Sequence, residues 1–252
     1  MPPDMNQRLF WGLAPSRWAE DVLRIAPDDW QRDVLNSSQK RCIINASRQA
    51  GKSTATAILA LHTALFRSPA TVIIISPSLS QSAESLKKVK GILPAVHPEI
   101  TKDNESRLEF ANGSRLIALP GSSITSRGFS AVDLLVVDEA ARVVDEIYHA
   151  VRPLVATSNG RIILLSTPYA RAGFFWEAWT GEEGDWQKIR VPATECKRIS
   201  PEFLAEERLS MPLRVFMQEY MCEFAGVEGG MFSPEDIAAA FDEGLEEYEW
   251  SV

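Results

Sequence analysis

The amino-acid sequence predicts an α/β fold in which helices flank a mainly parallel β-sheet, and three observations support this. Short apolar segments alternate with segments of helical spacing from residue 41 to about residue 192, as in chains that build parallel sheets. Four of these segments are hydrophobic throughout, which indicates strands buried on both faces. The 252 residues, 45% of them hydrophobic, suffice for one large domain or one domain with a small appendage.

The predicted strands follow one another along this region. They are "RCIINAS" (41–47), "TVIIISP" (71–77), "DLLVVDEA" (133–140), "RIILLST" (161–167) and "WQKIRVP" (186–192). Between the second and the third, "RLEFANGSRLIALPG" (107–121) alternates around Asn112-Gly113, a strong signal for a β-hairpin. Helices are predicted over residues 53–66, 80–92 and 145–156.

The two ends of the chain differ from this alternating region. Residues 1–40 are predicted to be helical and to join the sheet in one domain, residues 1–192. After Pro192, "SPEFLAEERLSMPLRVFMQEYMCEF" (200–224) has helical spacing. We therefore predict a small helical lid or linker subdomain over residues 193–232, followed by an acidic tail over residues 233–252.

Composition excludes several classes of protein. The net charge of −8 argues against a chain that coats nucleic acid, although "SLKKVKG" (85–91) could be a local contact as well as a solvated helix face. No segment approaches the roughly 20 apolar residues of a membrane span, and the N-terminus lacks the pattern of a secretory signal. Three distant cysteines and three histidines indicate neither a disulfide framework nor a zinc site. We expect a soluble protein of a reducing cytosol.

The stretch "NASRQAGKST" (45–54), between the first predicted strand and its helix, resembles the phosphate-binding pattern G-x-x-x-x-G-K-S/T. Ala46 replaces the first glycine, which is tolerable if its φ stays negative. Amides at a helix N-terminus attract an anion, Lys52 would reach the β/γ oxygens, and the Ser53 hydroxyl would coordinate Mg²⁺. A chance G-K-S-T at a helix start is the alternative. The predicted nucleotide-binding residues of the loop are Ser47, Gln49, Ala50, Gly51, Lys52, Ser53 and Thr54.

Two acidic residues end another predicted strand. In "LLVVDEA", Asp138 and Glu139 follow an apolar segment, and such strand ends face the ligand crevice in open α/β sheets. Asp138 would hold Mg²⁺ through its water shell, and Glu139 would orient and polarise the attacking water. The alternative is a pair of acids that starts a surface turn.

Hydroxyl and amide side chains offer further candidates. Ser166 and Thr167 end the strand in "RIILLSTP", where they could sense the γ-phosphate or only cap the turn before Pro168. Gln31, in "DDWQRDVL" (28–35), could read an adenine edge because its amide both donates and accepts hydrogen bonds.

Two arginines are candidates for catalysis. Arg48 lies in the loop, and Arg127 lies in "ITSRGFSAVDLLVVDEA", ahead of the two acids. A cation on the γ-phosphate in the transition state is worth roughly 10³–10⁵ in rate, or about 4–7 kcal/mol. Each arginine could equally be a plain surface charge.

Together these motifs resemble the large terminase subunit of tailed bacteriophages, the ATPase of the genome-packaging motor. The matching stretches, in the family's order from about residue 28 to 232, are "WQRDVL", "SRQAGKST", "SRGFSAVDLLVVDEAA", "LLSTP" and "FMQEYMCEF". The loop form with an arginine and without the first glycine is the one this family favours.

The resemblance implies a P-loop NTPase fold of the ASCE or RecA-like type and a role for each candidate. Gln31 would contact adenine, and Lys52 and Ser53 would bind phosphate and Mg²⁺. Asp138 resembles the Walker B aspartate and Glu139 the catalytic glutamate. Ser166 and Thr167 resemble the coupling motif. Arg127 matches an arginine that some members insert into the neighbouring subunit, whereas in others Arg48 would act in cis; both remain open.

The resemblance also implies partners. The chain would hydrolyse ATP with Mg²⁺ and drive double-stranded DNA into a procapsid, with the portal protein and the small terminase subunit as partners. It would assemble as a ring, a pentamer by that resemblance, at the procapsid portal in the cytoplasm of the infected bacterial host. The isolated module could be monomeric.

The family's proteins carry an RNase H-like nuclease after this region. The stretch "GGMFSPEDIAAAFDEG" (229–244) is similar to the segment that leads into it. No strand pattern follows residue 232 to present the carboxylates that hold two metals, so nuclease activity is not expected.

Two other functions compete with the packaging motor. A helicase-like, DNA-dependent ATPase acting on single strands would need a second RecA-like domain or aromatic stacking platforms. A non-catalytic nucleotide switch would not need Glu139, which argues against it.

Overall fold

The computed structural model describes residues 4–121, 129–182 and 184–226, and this part of the chain holds an eight-stranded sheet of order β3-β4-β5-β2-β6-β7-β1-β8. The strands are β1 Arg41–Ala46, β2 Thr71–Ser76, β3 Ile100–Asn104, β4 Arg107–Phe110, β5 Arg115–Pro120, β6 Leu134–Asp138, β7 Arg161–Ser166 and β8 Trp186–Val191. Five of the seven pairings are parallel, and the two that involve β4 are antiparallel. The predicted α/β fold with a mainly parallel sheet is confirmed.

Nine α-helices lie in the described ranges. They are α1 Met5–Leu13, α2 Pro15–Trp18, α3 Asp29–Asn36, α4 Lys52–Phe66, α5 Leu79–Ile92, α6 Asp145–Val151, α7 Gly173–Thr180, α8 Pro201–Ser210 and α9 Leu213–Glu219. A π-helical turn, Ala19–Leu23, follows α2. The helix predicted over residues 145–156 is α6 followed by a 3₁₀ turn, Arg152–Val155. None of these helices is long and apolar enough to cross a bilayer.

The central strands are buried on both faces, as their continuous apolar sequences predicted. In β1, Cys42 and Ile44 face the core under α4, whereas Ile43 faces a second core on the opposite side. The first core receives α4, of whose 15 residues 11 are buried, and the second receives α6 and α7. The predicted hairpin is β4–β5, and Gly113 at its turn has a φ of +83°, which suits glycine.

Two elements were not predicted. All five residues of β3 are exposed, so "ITKDN" lacks the apolar alternation that marks a half-buried strand. The helix α7 has the sequence "GFFWEAWT", in which aromatic residues obscure the helical spacing. Both elements are set by tertiary contacts, and local sequence preference alone does not reveal them.

The order β6-β7-β1 brings three strand ends to one edge of the sheet. Asn45 of β1 pairs with Ser166 of β7, and Leu165 of β7 pairs with Asp138 of β6, all in parallel register. The carboxyl ends of parallel strands are where α/β sheets bind ligands. The end of β7 therefore stands between the loop that follows β1 and the acids that follow β6.

The helical spacing of residues 200–224 is confirmed by α8 and α9. Ser200 caps α8, since its hydroxyl accepts a hydrogen bond from the Phe203 amide at 3.2 Å. Leu204, Phe216 and Tyr220 form a separate small core with Ala193.

Candidate functional site

The stretch after β1 forms a tight loop that opens into α4. Ala46 is the last residue of β1, in extended backbone, so no glycine is required there. The loop turns through two left-handed residues, Gln49 at φ 59° and Gly51 at φ 92°. The left-handed conformation is costly for a non-glycine residue and tends to occur at functional sites. The loop's shape therefore does not depend on the glycine that its sequence lacks.

Lys52 is buried beneath the loop and ties it to β7. Its ammonium donates hydrogen bonds to the carbonyls of Ala46 and Ser47, both at 2.9 Å, and to the Thr167 hydroxyl at 3.1 Å. Burial lowers the pKa of Lys52, and the nearby carboxylates of Glu139 and Asp138 oppose that shift. Lys52 and Thr167 are 115 residues apart in the sequence, and the fold brings these two predicted site residues together.

The two acids after β6 face different surroundings. Asp138 is 8% exposed and accepts hydrogen bonds from the Ser85 hydroxyl at 2.9 Å and from the Glu139 amide at 3.0 Å. Glu139 has a left-handed φ of 50°, and one of its carboxylate oxygens lies 3.4 Å from the Ser166 hydroxyl, which donates to the Thr167 carbonyl at 2.7 Å. Burial raises the pKa of Glu139, while Lys52 opposes the shift. A carboxylate that is poorly solvated in this way is a stronger base than an exposed one.

A cleft of about 700 Å³ runs over these residues. Most of the predicted site residues line it, namely Gln31, Arg48, Gln49, Ala50, Gly51, Lys52, Ser53, Thr54, Glu139 and Thr167. Ser47, Asp138 and Ser166 are buried, and each is bonded to a residue that lines the cleft. Arg127 lies outside the described residues.

Gln31 supports the loop with its amide. Its oxygen accepts a hydrogen bond from the Asp28 amide at 2.9 Å, which completes the capping box of α3, and its nitrogen donates to the Gly51 carbonyl at 3.0 Å. The side chain is 2% exposed and lines the cleft, as do the apolar residues Ile25 and Ala26. The Gln31 amide was predicted to read adenine, and one of its N–H donors is instead used to hold the loop in place.

Arg48 is directed toward α9. Its Nε donates to a carboxylate oxygen of Glu219 at 2.5 Å, and its backbone amide donates to the Glu219 carbonyl at 3.0 Å. This hydrogen bond raises the pKa of Arg48 above its already high usual value.

Several residues of the cleft were missed by sequence reasoning. Arg198 donates to the Ala50 carbonyl at 2.7 Å and pairs with Asp28, the N-cap residue of α3, at 2.8 Å, so it links the loop to the start of α3. Arg142, three residues after Glu139, also lines the cleft, and this short spacing was a signal that could have found it. The others that were missed are Ile25, Ala26, Gln81, Lys88 and Glu219.

The lysines of residues 85–91 have places or partners within the described structure. Lys88 lines the cleft, Lys90 pairs with Asp103 at 2.5 Å, and Lys87 lies 3.9 Å from Glu84. This arrangement supports a contribution to the cleft and gives no support to a separate nucleic-acid patch.

The donors near the loop suit a magnesium ion. No group of three or more metal-ligating His, Cys, Asp or Glu side chains occurs in the described ranges. Mg²⁺ needs no such group, since it keeps several waters and is bound by one or two side-chain oxygens together with substrate phosphates. Ser53 at the start of α4 and Asp138 at the end of β6 are oxygen donors of this kind. Each oxygen of Asp138 accepts one protein hydrogen bond, which leaves a lone pair on each for a hydrated cation.

Comparison with known proteins found a matching family and related large terminase subunits. Residues 43–239 match the family described as "Terminase large subunit, T4likevirus-type, N-terminal". The large terminase subunit of Thermus virus P23-45 is 25% identical in an alignment that covers 89% of this chain and 54% of that protein. The chain thus spans about half the length of the curated relatives it matches.

Two solved structures share the fold. The large terminase ATPase domain of Thermus phage P74-26 has a TM-score of 0.72 at 22% identity, covering 84% of this chain and all 100% of that one. The large terminase of a thermophilic bacteriophage, solved in complex with ADP, has a TM-score of 0.63 at 10% identity, covering 86% of this chain and 53% of that one.

Proposed function

The chain belongs to the family of terminase large subunits, and from that premise we propose that it is the ATP-hydrolysing motor module of a phage terminase. In this proposal it drives double-stranded DNA into a procapsid. The observation that carries the proposal is the convergence of Lys52, Thr167 and Glu139, from three separate strand ends, on one cleft beneath a phosphate-type loop. A loop that only capped a helix would not need a buried lysine and a desolvated acid beside it.

In the proposed reaction the loop binds the triphosphate of ATP. The amides at the start of α4 face the phosphates, and the helix dipole favours their charge. Lys52 would exchange a hydrogen bond with a loop carbonyl for one with a phosphate oxygen. Ser53 and Asp138 would hold Mg²⁺, which when bound supplies neutralisation of charge on the phosphates.

Glu139 would act as the base in hydrolysis. It would accept a proton from the attacking water, and its raised pKa makes it better suited to that step than an exposed carboxylate. Ser166, whose hydroxyl lies 3.4 Å from a Glu139 carboxylate oxygen, and Thr167, which accepts from Lys52, would sense the change as the γ-phosphate leaves. Their position at the end of β7, between the loop and the acids, supports the coupling role.

The adenine would lie against Ile25, Ala26 and Gln31, which line the cleft. The apolar side chains there suit a purine ring, and the Gln31 amide retains a donor hydrogen and a lone pair beyond its two protein hydrogen bonds. Arg48 lines the same cleft and, as a residue of the loop, would contact phosphate in cis. Arg127 remains the rival, as an arginine supplied to a neighbouring subunit.

We further propose the domain organisation and partners expected from the sequence. Residues 1–192 would form the ATPase domain, residues 193–232 a lid or linker, and residues 233–252 a connection toward a nuclease domain. Copies would form a ring at the procapsid portal in the host cytoplasm, with the portal protein and the small terminase subunit. Because the net charge is −8, the module alone should bind DNA weakly at physiological salt.

The test is the fate of ATP in the Glu139→Ala variant. We expect it to retain bound ATP in filter binding while phosphate release falls to background, because the water loses its base. Glu146→Ala, an exposed acid in the first turn of α6, is the matched control and should release phosphate at the wild-type rate. Unchanged phosphate release in Glu139→Ala would overturn the catalytic assignment.

The two arginines can be separated by mixing subunits. Glu139→Ala subunits carry an intact Arg127 and should rescue Arg127→Ala subunits if this arginine acts on a neighbour. Absence of rescue at every mixing ratio, with assembly intact, would assign the activating role to Arg48.

A further inference from the structure

We propose that a basic cavity, at the edge of the sheet opposite the nucleotide cleft, binds the phosphate backbone of double-stranded DNA; this inference rests on the proposed packaging function. The cavity has a volume of about 390 Å³, and three of the residues that line it are Lys40, Arg41 and Arg152. Among the described residues, the cavity and the nucleotide cleft share none. The cavity is therefore a second site, separate from the one that would hold ATP.

The cavity is built where two central strands begin. Lys40 and Arg41 stand at the start of β1, Arg152 opens the 3₁₀ turn that follows α6, and residues 159–162 lead into β7. Because β1 and β7 are parallel neighbours, both begin at this edge and both end at the nucleotide cleft. Five steps of about 3.3 Å separate Arg41 from Ala46, so the two ends of β1 lie roughly 17 Å apart.

The three cations have no acidic partner in the described part of the chain. None of the described residues that line the cavity is Asp or Glu, and none of the three cations forms an ion pair with a described residue. The Lys40 ammonium donates to the Asn159 carbonyl at 2.7 Å, which fixes its position and leaves two of its three hydrogens for another acceptor. In a chain with a net charge of −8, three such cations around one cavity indicate a site for an anion.

The two arginines are close enough to repel each other. Both act on the hydroxyl of Tyr148 in α6: burial raises the pKa of Tyr148, and the charges of Arg152 and Arg41 oppose that shift. Like charges beside the same buried group are unfavourable to one another. An anion bound between them would replace this repulsion by attraction.

The chemistry of the cavity suits a phosphodiester backbone. Guanidinium groups bind phosphate oxygens in bidentate fashion, and a lysine adds a point charge. Lys40 and Arg152 are exposed, so the cavity is accessible to a long polymer. Pro153, Val155 and Ile162 form an apolar wall and carry no side-chain donor or acceptor for base edges. Contacts to phosphates alone position a protein on DNA without regard to sequence, as the packaging of a whole genome requires.

The experiment measures how duplex binding by the full chain depends on salt. Fluorescence anisotropy of a short labelled duplex gives the Kd at NaCl concentrations from about 50 to about 200 mM. The double variant Lys40→Gln/Arg152→Gln keeps polar side chains and removes two charges. We expect its slope of log K against log[NaCl] to be shallower than that of the wild type by roughly 1.8, because each lost phosphate contact removes about 0.9. At about 50 mM NaCl the Kd should rise at least tenfold.

The matched control is the double variant Arg67→Gln/Arg208→Gln. Both arginines are exposed, lie outside the cavity and form no ion pair with a described residue, so the same charge is removed elsewhere. Its slope and Kd should equal those of the wild type. Urea denaturation reports whether each fold is intact. If the first double variant unfolds, the single change Arg152→Gln carries the test, with an expected loss of about 0.9 in slope.

Two competitors distinguish the source of the anion. Sodium phosphate should displace the duplex no better than NaCl of the same ionic strength, and a peptide with the acidic sequence of residues 241–252 should not displace it. Displacement by phosphate would identify a site for a free anion, and displacement by the peptide would identify a site for an acidic protein segment. Either result would overturn the proposal.

The outcomes for the site and for the motor can be told apart. A wild-type slope in Lys40→Gln/Arg152→Gln, an equal change in the control, or a wild type that hydrolyses ATP but binds no duplex at low salt would overturn the DNA site alone. A wild type that hydrolyses no ATP, while the double variant still loses duplex affinity, would overturn the proposed motor and leave the site.

Discussion

Replacing Gly51 by alanine should weaken both the fold and nucleotide binding, and the structure allows the size of the effect to be worked out. Gly51 has a φ of +92°, and a Cβ at this position would lie 2.7 Å from Nη2 of Arg198 and 2.7 Å from Nε2 of Gln31. Both atoms must move. Nη2 of Arg198 now donates to the Ala50 carbonyl, and Nε2 of Gln31 donates to the Gly51 carbonyl, so the movement disturbs both hydrogen bonds.

Three costs add up for this substitution. The left-handed backbone costs alanine roughly 1–2 kcal/mol. Loss of the buried Gln31 hydrogen bond costs about 1 kcal/mol. Arg198 is about half exposed, so its contribution is discounted to well under 1 kcal/mol. We therefore expect the free energy of unfolding to fall by about 3 kcal/mol.

Urea denaturation, followed by tryptophan fluorescence, measures this change. Gly91→Ala is the matched control, because Gly91 lies in α5 and a Cβ there meets nothing within 4 Å. In a helix alanine is favoured over glycine by up to about 1 kcal/mol, so the control should be neutral or slightly stabilising. A Gly51→Ala protein that unfolds at the wild-type urea concentration would refute the clash derived above, and so would an equal loss in Gly91→Ala.

Three further predictions concern separate sites. Burial lowers the pKa of His62 to about 4, so its neutral ring, which donates to the Trp11 carbonyl at 2.9 Å, stabilises the fold fully above pH 6.5. That contribution, about 3 kcal/mol, is lost as pH falls from 6.5 toward 4, and the stability gap between wild type and His62→Gln should shrink over this range in urea titrations. Arg198→Ala should raise the KM for ATP several-fold in steady-state assays by freeing the Ala50 carbonyl; an unchanged KM would count against its clamping role. Asp138→Asn should raise the Mg²⁺ concentration needed for half-maximal hydrolysis by at least tenfold, and an unaltered Mg²⁺ titration would exclude Asp138 as the metal-side acid.

Sequence reasoning could predict the parts of the site in which the characteristic residues lie next to one another in the chain. The loop before α4 and the acids after β6 each combine an apolar strand with polar residues at its end, and this pattern is visible in a window of ten residues. The parallel order of β1, β7 and β6 then brings these ends together, so three local patterns imply one cleft.

Residues that reach the cleft from elsewhere carry no such local signal. Arg198 contacts a carbonyl 148 residues earlier in the chain, and Glu219 contacts an arginine 171 residues earlier. Each is a charged residue near a helix terminus, and in sequence such residues look like ordinary solvated positions. Only the packing of the small helical core against the end of β1 gives them a role.

The strand β3, one of the two edge strands of the sheet, has a consequence for contacts between molecules. All of its side chains face solvent, and Lys102 and Asp103 place opposite charges along it. Charged side chains on a border strand discourage backbone-to-backbone joining of sheets between molecules. At high local concentration, then, this border of the sheet is protected from joining the strands of neighbouring molecules into a continuous β-ribbon.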